Sequence, residues 1–112
     1  MRPQDVTSPK DRWVLDRVLI DGPASGKWWS LALGRWRNPG GEWRKCLAIR
    51  WDGGTTEDPN EKGMPISSGY AVWFILPEEL YPFLVAAIPA ENRQFIMSVL
   101  GDTTVRQPEA AA

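Results

Sequence analysis

Two tryptophans and four arginines in the middle of the chain are the residues whose types and spacing could do chemistry. They are Trp28, Trp36, Arg35, Arg37, Arg44 and Arg50. Indole rings can stack on nucleobases and guanidinium groups can bind phosphates, so this mixture is typical of a platform for single-stranded nucleic acid. The alternative is structural, because tryptophan in a strand usually packs and arginine beside it often stacks on its ring.

The charge distribution bears on the same choice. The net charge is −1, but residues 26–51 carry a net charge of +5 and residues 52–112 carry −6. Such segregation indicates either an anionic partner for the basic segment or neutralisation of one segment by the other within a single fold. The sequence leaves both alternatives open.

The chain has no motif for nucleophilic, metal or phosphate-transfer catalysis. Histidine is absent and Cys46 is the single cysteine, so the commonest general base and the usual zinc-ligand sets are missing. We therefore expect no metal and no cofactor. The charges of Arg44 and Arg50 could activate the Cys46 thiol, but its small neighbours favour plain packing.

Two strands, 27–37 and 43–51, joined by the turn sequence NPGG, must position the tryptophans and arginines. Side chains alternate between the two sides of a strand. One side, the core face, holds Trp29, Leu31, Leu33, Leu47, Ile49 and Trp51. The opposite side, the small-residue face, holds Ser30, Ala32, Gly34, Cys46 and Ala48.

Burial of the large apolar side chains fixes how these strands pair. Leu33 must lie opposite Leu47 to bring the two apolar sets onto one side, and Trp29 then faces Trp51. This register requires an odd number of residues between the strands, so we expect a five-residue loop or a bulge. An even loop would place Leu33 opposite Cys46 and scatter the core.

The small-residue face is predicted to form a shallow hollow rimmed by Trp28, Trp36, Arg44 and Arg50. Either a helix of the protein packs closely into this hollow, or a ligand or partner does. If the helices cover the core face, the hollow is open to solvent and becomes the candidate ligand site.

The remaining segments complete an α+β domain. We expect a first strand at 13–20, a long polar loop at 52–69, and a fourth strand at 70–76 that is central or covered on both sides. Helices are predicted after Pro77 and Pro89, the first with a buried stripe at Leu80, Phe83, Leu84 and Ala87. The predicted fold is a curved antiparallel sheet of about four or five strands followed by one or two C-terminal helices packed on one face, the core face.

The ends of the chain are polar. Residues 1–11 are expected to form a flexible arm and 102–112 a flexible tail, around a single domain at 12–101. No apolar run approaches the roughly 18 residues of a membrane span, and the start lacks the apolar stretch of a signal peptide. We therefore expect a cytoplasmic location and no membrane contact.

The segments WSLALGRW, CLAIRWDG and GYAVWFILPEEL resemble small bacterial proteins of the integron-cassette type, encoded on mobile gene cassettes. The resemblance covers about residues 13 to 85 and implies neither an activity nor site residues. The layout of four strands followed by helix is similar to the positive-cofactor-four and PUR-type folds, which implies dimeric binding of single-stranded nucleic acid.

Three hypotheses follow for function. The first is a non-enzymatic binding module that forms a homodimer and binds single-stranded nucleic acid through the tryptophan and arginine side chains. The second is a structural or protein-interaction domain of a homodimer whose tryptophans are buried. The third, which we do not favour, is a small enzyme with Arg50, Asp52 and Glu61 at the 52–69 loop.

Overall fold

A computed structural model describes residues 1–53, 61–94 and 96–98 of the chain. In this part the strands are β1 (Trp13–Ile20), β2 (Trp29–Arg37), β3 (Trp43–Trp51), β4 (Ile66–Ser67), β5 (Tyr70–Ala71) and β6 (Phe74–Ile75). Short 3-10 turns occupy Pro3–Asp5, Pro23–Ser25 and Glu78–Leu80. Helix α1 spans Tyr81–Val85, and helix α2 comprises residues 90–94 and 96–98.

The main sheet is antiparallel and has four strands, in the order β1-β2-β3-β6. Strands β4 and β5 form a separate two-stranded ribbon. With two C-terminal helices after the strands, the predicted α+β class is confirmed.

The pairing of β2 with β3 follows the register that burial required. Leu33 lies opposite Leu47, Leu31 opposite Ile49, and Trp29 opposite Trp51. The five residues 38–42 connect the strands, which confirms the predicted odd loop length. The backbone N–H of Asn38 donates to the carbonyl of Glu42 at 2.7 Å and closes the turn.

The C-terminal helices cover the core face, as expected. Leu31 and Leu47 are fully buried and belong to one apolar cluster with Tyr81, Ile88 and Ile96. Tyr81 is fixed there because its hydroxyl oxygen accepts a hydrogen bond from the backbone N–H of Leu47 at 3.1 Å.

The buried stripe predicted for the first helix is wrong at Leu80, Phe83 and Ala87, whereas Leu84 packs against the main cluster as predicted. Tyr81 is buried, whereas Phe83 is 76% exposed and Leu80 is 43% exposed. The turn before α1 is a 3-10 helix, which advances by three residues per turn rather than 3.6. The side chains that face the sheet are therefore displaced from the positions expected for one continuous α-helix.

A second core fills the small-residue face. Val6, Trp13 and Trp73 pack with Ala32, Cys46, Ala48 and Ala71 in one buried cluster. The indole rings of Trp13 and Trp73 lie 6.2 Å apart at an angle of 35°. The indole N–H of Trp73 donates to the backbone carbonyl of Val6 at 2.8 Å.

This second core corrects two expectations. The hollow of the small-residue face is not open, because aromatic rings of the protein itself occupy it. Segment 1–11 is not a loose arm, since Val6 is 1% exposed and Ser8 forms a β-bridge with Val72. The predicted tail at 102–112 lies outside the described residues.

The single strand predicted at 70–76 is divided between two sheets. Tyr70–Ala71 pairs with β4, whereas Phe74–Ile75 forms the edge of the main sheet beside β3. The chain changes sheets at Val72, where the guanidinium of Arg50 donates to the Val72 carbonyl at 2.8 Å. A central position for this segment is therefore wrong, although its apolar residues do contribute to both cores.

The predicted loop at 52–69 is structured in its second part. Met64 and Trp51 exchange backbone hydrogen bonds of 2.8 and 2.9 Å, and Ile66–Ser67 is a strand. Residues 54–60 lie outside the described part of the chain. No helix in the described residues has the length and apolar character needed to cross a membrane.

Trp13 and Gly34 are packed so closely that any larger side chain at Gly34 would be in conflict with the ring. A Cβ atom at Gly34 would overlap the six-membered ring of Trp13. We predict that Gly34→Ala lowers the free energy of unfolding by about 1–3 kcal/mol, the usual cost of overpacking. Urea denaturation followed by circular dichroism measures it.

Gly40→Ala is the matched control, because an added Cβ there meets no described atom within 4 Å. We expect this variant to stay within about 0.5 kcal/mol of the wild type. Trimming the ring with Trp13→Phe should make the Gly34→Ala loss smaller, since contacting residues are coupled. An equal loss for Gly34→Ala and Gly40→Ala would contradict the packing described here.

Candidate ligand-binding site

The two tryptophans of the predicted platform lie at opposite ends of β2. Trp28 precedes the first residue of the strand and is 63% exposed, and Trp36 is half-buried near the strand's end. Eight residues of extended chain separate them by roughly 26 Å. They do not form one surface on which a ligand could stack.

Acidic residues of the protein already neutralise three of the four arginines. Arg35 forms a bidentate ion pair with Asp16, with a shortest N–O distance of 3.0 Å, and this partner raises the pKa of Arg35. Arg44 is paired with Glu78. Arg44 and Arg50 are paired with acids of segment 52–112, which is the neutralisation of one segment by the other that the charge pattern allowed. The partner of Arg35 lies outside that segment, and Arg37 is exposed.

Arg50 is the predicted site residue that departs furthest from expectation. Its side chain is buried, with 2% of the residue exposed. The guanidinium donates to the carbonyls of Val72 and Lys62. Its Nε lies 3.6 Å from Oδ1 of Asp52. Arg50 therefore ties together backbone segments inside the protein and presents no charge to a ligand.

Asp52 completes a buried polar cluster with Arg50 and Ser30. The Ser30 hydroxyl donates to Oδ2 of Asp52 at 2.6 Å and accepts from the backbone N–H of Gly22 at 2.9 Å. Burial raises the pKa of Asp52, opposed by the Ser30 hydrogen bond and the charge of Arg50. Burial also lowers the pKa of Arg50. A carboxyl with a raised pKa could act as an acid or base, but this one is fully buried and lines neither groove described below.

Cys46 is packed in the second core, 5% exposed, as its small neighbours favoured. Burial raises the pKa of its thiol from 9.0 to about 12, with a smaller contribution from Asp16, and Arg44 opposes the shift only weakly. The arginine charge does not activate this thiol, because desolvation of the thiolate raises the pKa by more than the charge of Arg44 lowers it.

An open surface lies on the other side of the sheet, at the end that the described part of the helices leaves bare. We call it the aromatic groove, and its volume is about 490 Å³. It is lined by Trp29, Ile49, Arg50, Trp51, Met64, Pro65 and Phe74. Apart from Arg50, whose guanidinium is committed elsewhere, every one of these side chains is uncharged.

Strand register brings the groove side chains together. Trp29 pairs with Trp51 across β2 and β3, and Ile49 pairs with Phe74 across β3 and β6. Paired residues on neighbouring strands present their side chains on the same side of a sheet. Met64 joins them through its two backbone hydrogen bonds to Trp51. Gly63 permits that approach, because a Cβ there would collide with the carbonyl of Trp51.

The groove is continuous with the core yet open to solvent. Trp29 and Ile49 are half-buried against the main cluster. Trp51, Phe74 and Met64 are 57%, 55% and 63% exposed. Large apolar side chains grouped in this way on a soluble protein usually mark a binding surface.

Sequence reasoning placed Trp29 and Trp51 face to face but assigned the pair to the interior. The missing information was how far the helices extend over the core face. No pattern in the sequence gives the extent of that cover. The contribution of Phe74 could not be foreseen, because it depends on the division of segment 70–76 between two sheets. That of Met64 depends on its backbone pairing with Trp51, at the end of a segment that was predicted to be a loop.

Comparison with known proteins identifies no relative. No protein-family model matches the chain, no curated protein matches it, and no solved structure matches it. The integron-cassette resemblance therefore stays a prediction.

The buried ion pair makes a prediction about stability and pH. Arg50→Met removes the countercharge of Asp52, so we expect a loss of about 3–5 kcal/mol at neutral pH, the usual result of breaking a buried pair. The pKa of Asp52 is raised in the fold, so lowering the pH protonates this carboxyl and removes the unpaired charge. The loss should therefore shrink as the pH falls toward 3.8, the ordinary pKa of an aspartate side chain. Urea denaturation at a series of pH values measures it.

Arg35→Met is the control, because its ion pair with Asp16 is exposed to solvent. We expect a much smaller loss for this variant, with little dependence on pH. If both variants lost the same stability, or if the Arg50→Met loss grew on acidification, the role assigned to the buried pair would be incorrect.

Cys46 is predicted to resist alkylation in the folded protein. A thiol with a pKa of about 12 is almost entirely protonated at about pH 8, and burial blocks access as well. Iodoacetamide labelling followed by mass spectrometry should show slow modification of the native protein and fast modification in urea. Equal labelling rates in both conditions would show that the thiol is not held in the core.

Proposed function

We propose that this protein is a non-enzymatic binding module that takes a small, uncharged aromatic ligand in the aromatic groove. The observation that carries the proposal is the set of four side chains, Trp29, Trp51, Phe74 and Met64, which form one concave apolar surface beside the core. The volume of about 490 Å³ falls within the roughly 300–1,000 Å³ typical of small-molecule sites.

The character of the lining selects the ligand. Flat indole and phenyl rings favour a flat apolar partner, since offset or edge-to-face aromatic pairs gain roughly 0.5–1.5 kcal/mol beyond their buried area. A charged ligand would lose hydration and find no free countercharge, because the guanidinium of Arg50 donates to the protein backbone. An uncharged aromatic molecule loses the least hydration free energy on entering the groove.

A homodimer is the second candidate for the groove. Within the described residues, the exposed large apolar side chains are numerous for a chain of this size: Trp28, Trp43, Trp51, Met64, Ile66, Tyr70, Phe74, Leu80, Phe83 and Met97. A second copy could cover some of them. The groove is concave, however, and in a two-fold dimer it would face the same concave surface of the second copy. Two concave surfaces leave a gap between them, whereas an aromatic ligand can fill the groove.

Single-stranded nucleic acid stays a prediction for the exposed tryptophan and arginine side chains. The structure removes Arg50 from the proposed contacts, and it pairs Arg35 and Arg44 with acids. Trp28 and Arg37 are the predicted contacts that remain exposed without such a pair among the described residues. These are few groups for an interaction that depends on many phosphate contacts.

Binding of N-phenyl-1-naphthylamine, an uncharged aromatic dye, tests the proposed function. We expect saturable enhancement of dye fluorescence, and we expect Trp51→Ala to weaken the affinity by at least about tenfold, because loss of a central aromatic anchor often costs 2 kcal/mol or more. Affinity should change little with salt, since no charge is involved.

Trp43→Ala is the matched control. Trp43 lies on the same strand and the same side of the sheet as Trp51, is 45% exposed, and does not line the groove. Full dye affinity in Trp51→Ala, or equal loss in both variants, would rule out the groove as the site.

Sedimentation velocity tests the second candidate, the homodimer. If the protein is a dimer that binds no dye, and if Trp51→Ala dissociates it, the groove is assigned to self-association. A single-stranded oligonucleotide that quenches tryptophan fluorescence in a salt-dependent way would support nucleic acid instead.

A further inference from the structure

A second groove lies against the other core and differs in chemistry from the first. It has a volume of about 420 Å³ and contains two indoles, Trp36 and Trp73, together with the hydroxyl groups of Ser8, Ser67, Ser68 and Tyr70. We call it the hydroxyl groove. It shares no lining residue with the aromatic groove.

Three separate segments form the hydroxyl groove and are fixed to one another. Ser8 is held by its β-bridge to Val72, and Trp73 by the hydrogen bond from its indole to Val6. Ser67 and Tyr70 are paired across the β4–β5 hairpin. The site is therefore largely preformed, which limits the ordering that a ligand would have to impose.

The four hydroxyl groups are available to a ligand. Within the described part of the chain, none of them hydrogen-bonds to another protein group. Each hydroxyl can donate one hydrogen bond and accept two. Tyr70 is 65% exposed, so its ring and hydroxyl stand at the mouth of the groove.

Ser68 has an unusual backbone for a non-glycine residue. Its φ of 51° lies in the left-handed region, and Gly69 follows at 84° in the two-residue turn between β4 and β5. Such a turn is normally occupied by Asn-Gly or Gly-Gly. A serine here places a hydroxyl on the groove at a position where glycine would be easier to accommodate.

We propose that the hydroxyl groove binds a neutral carbohydrate. A sugar ring has apolar C–H faces, which can lie on the exposed ring of Tyr70 and the half-buried indole of Trp36. Its rim of hydroxyls can pair with those of the protein. The lining carries no acidic or basic side chain that is charged at neutral pH, so nothing in it selects a phosphate or an ammonium group. A purely apolar ligand would desolvate the four hydroxyls without replacing their hydrogen bonds, which is costly.

Ser68→Gly is the most informative substitution. It removes one ligand-facing hydroxyl at a backbone conformation that glycine prefers, so the fold should be as stable as the wild type or more so. We expect it to weaken sugar binding by about 2- to 10-fold, the usual effect of one hydrogen bond. Tyr70→Ala, which alters an exposed side chain, should weaken binding by about tenfold through loss of the aromatic wall.

The assay is saturation-transfer NMR and tryptophan fluorescence on the full chain with cellobiose, maltose and N,N′-diacetylchitobiose. We expect saturable binding of at least one disaccharide, with a Kd of about 1 mM or tighter. Trp51→Ala, in the aromatic groove, is the control and should bind the sugar normally. Thermal unfolding of each variant confirms that the fold is intact.

Three results would overturn the proposal. One is the absence of saturable binding by all three disaccharides. Another is unchanged affinity in both Ser68→Gly and Tyr70→Ala. The third is a loss in Trp51→Ala as large as that in Tyr70→Ala, which would move sugar binding to the aromatic groove.

Discussion

The pairing of β2 with β3 is the constraint on which the rest of the structure depends. Leu33 opposite Leu47 and Leu31 opposite Ile49 place every large aliphatic side chain of the hairpin on one side. Because side chains alternate along a strand, the same pairing leaves serine, alanine, glycine and cysteine on the other side. A shift by one residue would mix the two sets, and neither core could form.

The small residues let large aromatic rings approach the sheet closely. Trp13 lies directly over Gly34, and Trp73 packs beside it while its indole N–H is satisfied by Val6. The buried indole N–H of Trp13 has no partner within the described residues, which shows that packing rather than hydrogen bonding holds this ring. The N-terminal segment is thus part of the second core, and the sheet is covered on both sides by elements far apart in sequence.

Arg50 links the two cores to the two grooves. Its side chain lies on the small-residue side, yet its guanidinium donates to Val72, which lines the hydroxyl groove, and to Lys62, two residues before Met64 of the aromatic groove. The pairing with Asp52 fixes the guanidinium against Ser30 and the end of β3. A residue that looked like a phosphate contact in the sequence therefore positions backbone around both candidate sites. The two grooves differ in polarity. The aromatic groove lies on the apolar core face, whereas the hydroxyl groove is bordered by the β4–β5 hairpin, which contains two serines and a tyrosine.

The sequence by itself determined the secondary structure of the hairpin, its register and its five-residue connection, and the choice of face for the helices. Each of these follows from local alternation and from the need to bury Leu31, Leu33, Leu47 and Ile49, so neighbouring residues carry the information. Tertiary structure alone decided that Trp13, Trp73 and Val6 fill the small-residue face, since these residues are distant along the chain and no periodicity connects them. It also decided that Arg50 is buried and that Trp51 is exposed, because exposure depends on which parts of the sheet the other segments cover. The candidate sites were therefore hidden from sequence reasoning for a physical reason: a groove is the space left after all other segments have packed.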